Sequence, residues 1–207
     1  MHPNWAFRGV DTVADLAVLR SCGFSVLTLA GPHGPRASHI PFVVSAEGLA
    51  VDVHIVRSNP IGKALEDKPV AACSWSAGPA AMSRPTATAS RISQVPTWNC
   101  VEVHLRGLLT VAARQGLRAH LDDLSASFEE RLADEIPWTT AKMTPATLVK
   151  FMAMIMLMTL SVARVDGAWK HSQNEPEDVR LRAADGTCGA HVLRRLTPAS
   201  AARSRAV

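Results

Sequence analysis

Two short runs combine a tryptophan with amide and other hydrogen-bonding side chains. They are Pro96-Thr97-Trp98-Asn99 and Trp169-Lys170-His171-Ser172-Gln173-Asn174. An indole plane can cover a ring, amides can hydrogen-bond to its heteroatoms, and a lysine can meet a negative charge. These residue types therefore fit a flat, polar, anionic ligand. A structural interpretation also stays open, in which both tryptophans belong to the core and the lysine and amides form a solvated loop.

A third run, Arg57-Ser58-Asn59-Pro60, has the side chains of a phosphate site. Asn59 followed by Pro60 predicts the start of a helix, where free N–H groups and the helix dipole attract anions. Arg57 adds a guanidinium that can bind two phosphate oxygens at once, and Ser58 adds a hydroxyl group. The alternative interpretation is an ordinary helix cap beside a solvated arginine.

Other kinds of chemistry find less support. His39 and His54 lie on two strands that a short turn would join, so we expect them near one another. A hydrogen-bonded histidine at the mouth of a barrel is favoured over a metal site, because no Cys, Asp or Glu stands at ligand spacing. The four cysteines form no C-x-x-C pair, and no serine has a histidine and an acid at a recognisable spacing, which leaves redox motifs and hydrolysis unsupported.

Short strands joined by tight turns must position these residues. Strands are predicted over 24–30, 38–44, 49–56, 70–75 and 97–111, with a last one ending at residue 169. Helices are predicted over 11–23, 60–65 and 114–132, with a buried helix opening at 145, and residues 78–94 form a long loop. The fold class is therefore mainly β (α+β): about six antiparallel strands in a split or small barrel with peripheral helices, not a parallel α/β sheet.

Length and charge indicate one domain and a tail. Residues 1–179 are predicted to form the domain, and residues 180–207 a low-complexity basic tail that is disordered. The chain has a net charge of +4, and the tail alone carries six arginines against one aspartate, so the domain is close to neutral. Nucleic-acid contact by the domain is therefore doubtful. The apolar stretch 148–165 is short for a membrane span and no signal peptide is evident, which predicts a cytoplasmic protein without a membrane partner.

Taken together, these motifs resemble the PaiB family of FMN-binding negative transcriptional regulators. The resembling stretches are His39–Phe42, His54–Pro60, Gly78-Pro79, Val95–Gly107 and Gly167–Glu177, in that order. The resemblance covers roughly residues 1 to 178. It implies an FMN-binding split β-barrel that forms a homodimer, with the flavin at the interface between the subunits.

The resemblance also implies a role for each motif. Arg57, Ser58 and Asn59 would hold the FMN phosphate. The isoalloxazine ring and ribityl chain would be lined by Ser38, His39, Ile40, Pro41, His54 and Ile55. The pocket would be completed, partly from the other subunit, by Thr97, Trp98, Asn99, Lys170, Gln173 and Asn174. Three functions stay open: a transcriptional regulator, a flavin-dependent oxidoreductase or flavin reductase, and a haem-binding split-barrel protein with His39 or His54 as axial ligand.

Overall fold

The computed structural model describes residues 4–9, 11–65, 68–83, 96–132 and 136–177. Within them lie six strands: β1 (Phe24–Leu29), β2 (Arg36–Val44), β3 (Ala50–Val56), β4 (Val70–Ser83), β5 (Thr97–Val111) and β6 (Ile155–Lys170). They close into an antiparallel barrel in the order β1-β2-β3-β6-β5-β4. The predicted fold class is confirmed. The predicted tail, 180–207, lies outside the described residues.

Four α-helices accompany these strands in the described part of the chain. They are α1 (Thr12–Cys22), α2 (Pro60–Ala64), α3 (Leu117–Glu129) and α4 (Pro145–Met154). Single 3-10 turns occur at Trp5–Phe7, Arg114–Gly116 and Thr140–Lys142. None of the described helices combines the length and hydropathy that crossing a membrane requires.

Residues at the boundaries explain where the helices begin and end. Gly23 follows α1 with a φ of 63°, a left-handed conformation that glycine adopts without strain. The side-chain oxygen of Asn59 accepts a hydrogen bond from the backbone N–H of Ile61 at 2.9 Å and so caps α2. Thr144 caps α4 in the same way, since its Oγ1 accepts from the N–H of Thr147 at 3.3 Å. The predicted starts of α2 at Pro60 and of α4 at Pro145 are confirmed.

Alternate strand residues fill the interior of the barrel. On β3 the side chains of Val51, Val53 and Ile55 are buried, and Asp52 and His54 between them point to the other face. The same period on β5 buries Val101, Val103, Leu105 and Leu109. The inner face is thus mostly aliphatic and includes a few small polar residues, among them Ser25 and Ser74, whose hydroxyl groups hydrogen-bond to each other at 2.8 Å.

Gly107 marks a close approach of two strands in the barrel wall. A Cβ atom at this position of β5 would lie 1.8 Å from the carbonyl oxygen of Ser161 on β6. Because every other residue has a Cβ atom, only glycine lets the two backbones come so close.

Two predictions about elements are wrong. Residues 78–83 of the predicted loop continue β4, which runs beside a strand of 15 residues and can extend along its hydrogen-bond ladder. The remainder of that loop, 84–94, lies outside the described residues. Helix α4 was predicted to be buried, yet none of its residues is; Phe151 and Met154 are 52% and 55% exposed. Strand side chains already fill the interior, so the apolar helix stays on the surface.

The chain divides into two compact units. The first, here called the strand-end unit, takes in the described residues up to Thr12, from Ala77 to Val103 and from Asp166 onward. The second, the barrel unit, takes in Val13–Ser76 and His104–Val165 as far as they are described. The predicted site residues are distributed over both units.

Candidate functional site

The loop after β3 brings Ser38 and Asn59 together. The amide nitrogen of Asn59 donates to Ser38 Oγ on β2 at 3.1 Å, while its oxygen caps α2. Asn59 therefore ties the loop both to β2 and to the helix that follows. Ser58, between Arg57 and Asn59, is exposed and offers its hydroxyl group to solvent.

Arg57 is held by the end of α4. Its Nε donates to the carbonyl oxygen of Ala153 at 3.0 Å, and its backbone N–H donates to the carbonyl oxygen of Met154 at 2.9 Å. Among the described residues, the two terminal nitrogens of the guanidinium have no hydrogen-bond partner. The guanidinium is thus oriented at one edge and open at the other, the arrangement that a bidentate anion needs.

Arg36 adds a second guanidinium to this loop, and sequence reasoning missed it. It opens β2, two residues before Ser38, and its Nη1 donates to the carbonyl oxygen of Pro60 at 2.7 Å. The only sequence signal is an arginine at the start of the strand that carries the predicted Ser38. Arg36 raises the positive potential where Arg57 and Ser58 are exposed.

His54 has a histidine partner that the sequence did not indicate. His54 Nδ1 lies 3.0 Å from Nε2 of His120 on α3, and the rings meet edge to face at 5.2 Å. His120 is only 4% exposed, and burial lowers its pKa to about 4. Burial also lowers the pKa of His54. His120 stands at helical spacing between Leu117 and Leu124, which indicates a core position rather than a site.

The remaining candidates in the barrel unit alternate between two faces. Ile40 and Ile55 are buried in the barrel, so only their backbone atoms could contact a ligand outside it. His39 lies on the outer face of β2 with Pro41 two residues on, and its ring stacks on Phe24 at 6.4 Å. His39 and His54 therefore have different ring partners, Phe24 and His120.

An exposed aromatic surface lies on the outer face of three neighbouring strands. Val26 of β1 is paired with His39 on one side and with Trp75 on the other. Phe24 and Trp75 are 51% and 40% exposed. Sequence reasoning missed both aromatic residues, because each stands in a strand that otherwise predicts core.

In the strand-end unit, the two tryptophan-containing runs are joined by hydrogen bonds. Lys170 Nζ donates to Thr97 Oγ1 at 2.7 Å, and Ser172 Oγ donates to Asn99 Oδ1 at 2.9 Å. Asn99 and Ser172 are both buried. The Lys170 ammonium also lies 5.8 Å from the ring centre of Phe7. The two runs, far apart in sequence, therefore meet within this unit.

Two of the predicted amides serve the loop itself. Gln173 accepts from the backbone N–H of His171 at 2.6 Å and donates to the carbonyl oxygens of Ala6, at 2.9 Å, and Trp169. Its amide is therefore used within the protein. Asn174 is exposed and donates to the carboxylate of Glu175 at 3.1 Å.

Trp98 is 56% exposed, so it is not the core residue of the structural interpretation. Trp169 is half-buried and meets the ring of His171 edge to face at 5.8 Å. Thr97 and Trp98 are consecutive residues of β5, so the pair of Lys170 and Thr97 lies on the face of the strand opposite to the exposed indole. An exposed indole is suited to covering a planar group. The described residues contain no cluster of three or more His, Cys, Asp or Glu that could hold a metal ion.

The chemistry of both groups fits an anionic planar ligand, and comparison with known proteins points the same way. The family model described as "Putative FMN-binding domain" matches residues 1–164. This range includes the loop after β3 and the Thr97–Asn99 run, but it ends before Lys170 and the residues that follow. A search of curated proteins found no match.

Solved structures share the fold at low identity. The FAD and haem binding protein from Mycobacterium smegmatis is 17% identical, with 87% of this chain and 82% of that chain covered and a TM-score of 0.61. The flavocytochrome Anf3 from Azotobacter vinelandii is 16% identical, with 82% and 72% covered and a TM-score of 0.58. At these identities the likeness concerns the fold alone.

Proposed function

Because the chain belongs to the FMN-binding domain family and has FMN as its cofactor, we propose that it is a flavin-bound homodimer of the PaiB type, acting in transcriptional regulation. The observation that carries the site assignment is the anchored, half-open guanidinium of Arg57. FMN would supply redox chemistry or a redox-sensitive signal, while the protein binds and orients it.

The phosphate of FMN has a fitting set of donors in the barrel unit. Arg57 offers two terminal nitrogens, and Ser58 offers an exposed hydroxyl. Ser38 holds Asn59 and with it the loop, so less freedom is lost when the anion binds. Arg36 contributes positive charge next to the same loop.

The strand-end unit has residues that suit a flat polar group, namely an aromatic plane and hydrogen-bonding side chains. Trp98 offers an exposed indole on one face of β5, and Thr97, which is joined to Lys170, lies on the other face. Lys170 can donate to an electronegative ring atom. Asn99 and Gln173 would act indirectly. Their side-chain amides accept hydrogen bonds from the loop that follows Lys170 and so hold that loop in place.

The homodimer is supported by helix α4. Apart from Thr147 and Lys150 its side chains are apolar, and none is buried; Val56, at the end of β3, is exposed as well. A second copy of the chain would remove these side chains from water. The PaiB family, which the motifs resemble, holds its flavin between two subunits.

A flavin-dependent oxidoreductase is the second candidate. Proteins described as binding FAD and haem, or as a flavocytochrome, share the fold. For a haem-binding protein His39 is the better-suited axial ligand, because it is exposed on the outer face of β2. His54 is less suited, because its ring lies against His120 and α3.

An absorption spectrum of the purified protein tests the cofactor. Flavin bands, with FMN identified after extraction, are the expected result. A haem Soret band without flavin bands would favour the haem-binding function and contradict the proposal. Fluorescence titration of the flavin-free protein with FMN then gives the dissociation constant.

A mobility-shift assay separates a regulator from an enzyme. The full chain and a version ending at residue 179 are compared at two salt concentrations. If the arginine tail contacts DNA, binding is weak, falls steeply with salt and is lost on truncation. FMN binding should survive truncation, because every candidate site residue precedes Glu175. No DNA binding by either form, together with NAD(P)H oxidation by the flavin-loaded protein, would favour the oxidoreductase.

A further inference from the structure

Helix α3 is joined to the barrel by a pair of histidines instead of an uninterrupted apolar seam. The residues that α3 turns inward are Leu117, His120 and Leu124, at spacings of three and four. His120, in the middle of this stripe, is buried and meets the outward-pointing His54 of β3 across 3.0 Å.

This contact requires one nitrogen of the pair to lack a proton. One ring must donate and the other must accept, which two neutral imidazoles can do. A first added proton places a charge in a buried apolar stripe. A second added proton leaves two N–H groups facing each other across the same gap, with two positive charges and no acceptor.

The surroundings give a charged pair little relief. His120 Nδ1 is buried and has no hydrogen-bond partner among the described residues. Two carboxylates act on His120, Asp52 from β3 and Asp123 from α3, and both favour its protonated form. Asp52 already accepts from Thr159 of β6 at 2.5 Å, and burial outweighs both carboxylates.

Other charged groups of α3 are turned elsewhere. The carboxylate of Asp122 accepts hydrogen bonds from Arg118 and from Thr140. Beyond the helix, Arg131 donates to the carbonyl oxygens of Ser21 and Arg20 at 2.8 Å. The far end of the helix is therefore held by hydrogen bonds from an arginine to backbone carbonyl groups, and the histidine contact lies toward its beginning.

We propose that the His54–His120 pair is an acid-sensitive latch, and that proton uptake by the pair releases the first half of α3 from the barrel while the six strands stay paired. A released segment of this length loses its helical hydrogen bonds, because short isolated helices are marginal in water. The device belongs to the fold and does not depend on which ligand the protein binds.

Amide hydrogen exchange of the full chain tests the latch. Rates are measured at about pH 7 and about pH 4.5 and corrected for the intrinsic effect of pH. Peptides covering Leu117–Leu124 should lose protection by at least about tenfold at the lower pH. A tenfold loss is expected when the pKa of one group differs by one unit between the attached and the released helix. Peptides covering Phe24–Leu29 of β1 should keep theirs. Equal protection of α3 at both pH values would overturn the proposal.

Two variants and one titration complete the test. His120→Leu keeps the apolar stripe and removes the titration, so protection of α3 should no longer depend on pH. The control, His33→Gln in an exposed turn, should behave like the wild type. If the leucine variant does not fold, an NMR titration of the wild-type His120 ring decides: protonation of the ring without faster exchange in α3 would overturn the proposal.

Discussion

At the scale of single residues, the structure changes the interpretation of Arg57 more than that of any other candidate. In the sequence it can be a solvated arginine. In the structure α4 holds one edge of its guanidinium at 3.0 Å. This orientation, not the residue type alone, makes it a candidate anion ligand.

Arg57→Ala should therefore weaken FMN binding by about 1.5–3 kcal/mol, the range for a hydrogen bond to a charged group. Fluorescence titration measures this change. The control is Arg114→Ala, an exposed arginine of the same unit outside the candidate site, which should leave the dissociation constant unchanged. An unchanged constant for Arg57→Ala would remove this residue from the site.

His120 should make stability depend on pH. Its pKa falls from 6.5 to about 4 on folding because the ring is buried. The unfolded chain therefore binds a proton first, and stability that is complete above pH 6.5 is lost as the pH falls towards 4. The loss is at most about 3 kcal/mol. Urea unfolding over this range should show a smaller loss in His120→Leu, and an equal loss in both proteins would contradict the assignment to His120.

The candidate site was predictable where local chemistry determines it. Asn59 is a helix cap in any fold, and its contact with Ser38 follows from the β2–β3 hairpin. His120 could not be predicted, because a histidine between two leucines at helical spacing indicates core. Gln173 shows the opposite case. Its residue type suits ligand binding, but its amide is hydrogen-bonded to the backbone of His171 and Ala6.

At the scale of elements, turn and cap residues made the ends of the strands and helices predictable. The burial of an element could not be predicted from its composition. The strands β1, β2 and β3 lie close to their predicted bounds because glycine, proline and asparagine punctuate them. Helix α4 is as apolar as a core helix, and only the filled barrel keeps it outside. The extension of β4 depends on pairing with the long strand β5, and pairing between strands cannot be predicted from the local sequence of β4.

The close approach of the two backbones at Gly107 gives a prediction for β5 and β6. Gly107→Ala would place a Cβ atom 1.8 Å from a carbonyl oxygen of the opposite strand, so the strands must move apart. We expect destabilisation of about 3 kcal/mol or more, at the upper end of the cost of overpacking. Gly116→Ala is the control, since its Cβ would meet only a side-chain methyl of Leu157 at 3.3 Å. Urea unfolding that finds Gly107→Ala as stable as this control would contradict the close approach.

At the scale of the whole molecule, the exposed apolar face of α4 predicts a dimer. Light scattering should find twice the chain mass of 22.2 kDa. Phe151→Glu should shift the protein towards the single chain, because it would place a charge in the interface without disturbing the core. Val13→Glu, at an exposed apolar position of α1, is the control and should stay dimeric. A single-chain mass for the unmodified protein at micromolar concentration would refute the homodimer.

The hydrogen bonds from Arg57 to the last turn of α4 join the proposed phosphate loop to the proposed subunit contact. Whatever orders one of them therefore favours the other. Thermodynamic reciprocity then requires that FMN tighten the dimer by the same factor by which dimer formation tightens FMN. Diluting the protein should release flavin, and at a fixed protein concentration the fraction of dimer would report how much flavin is present.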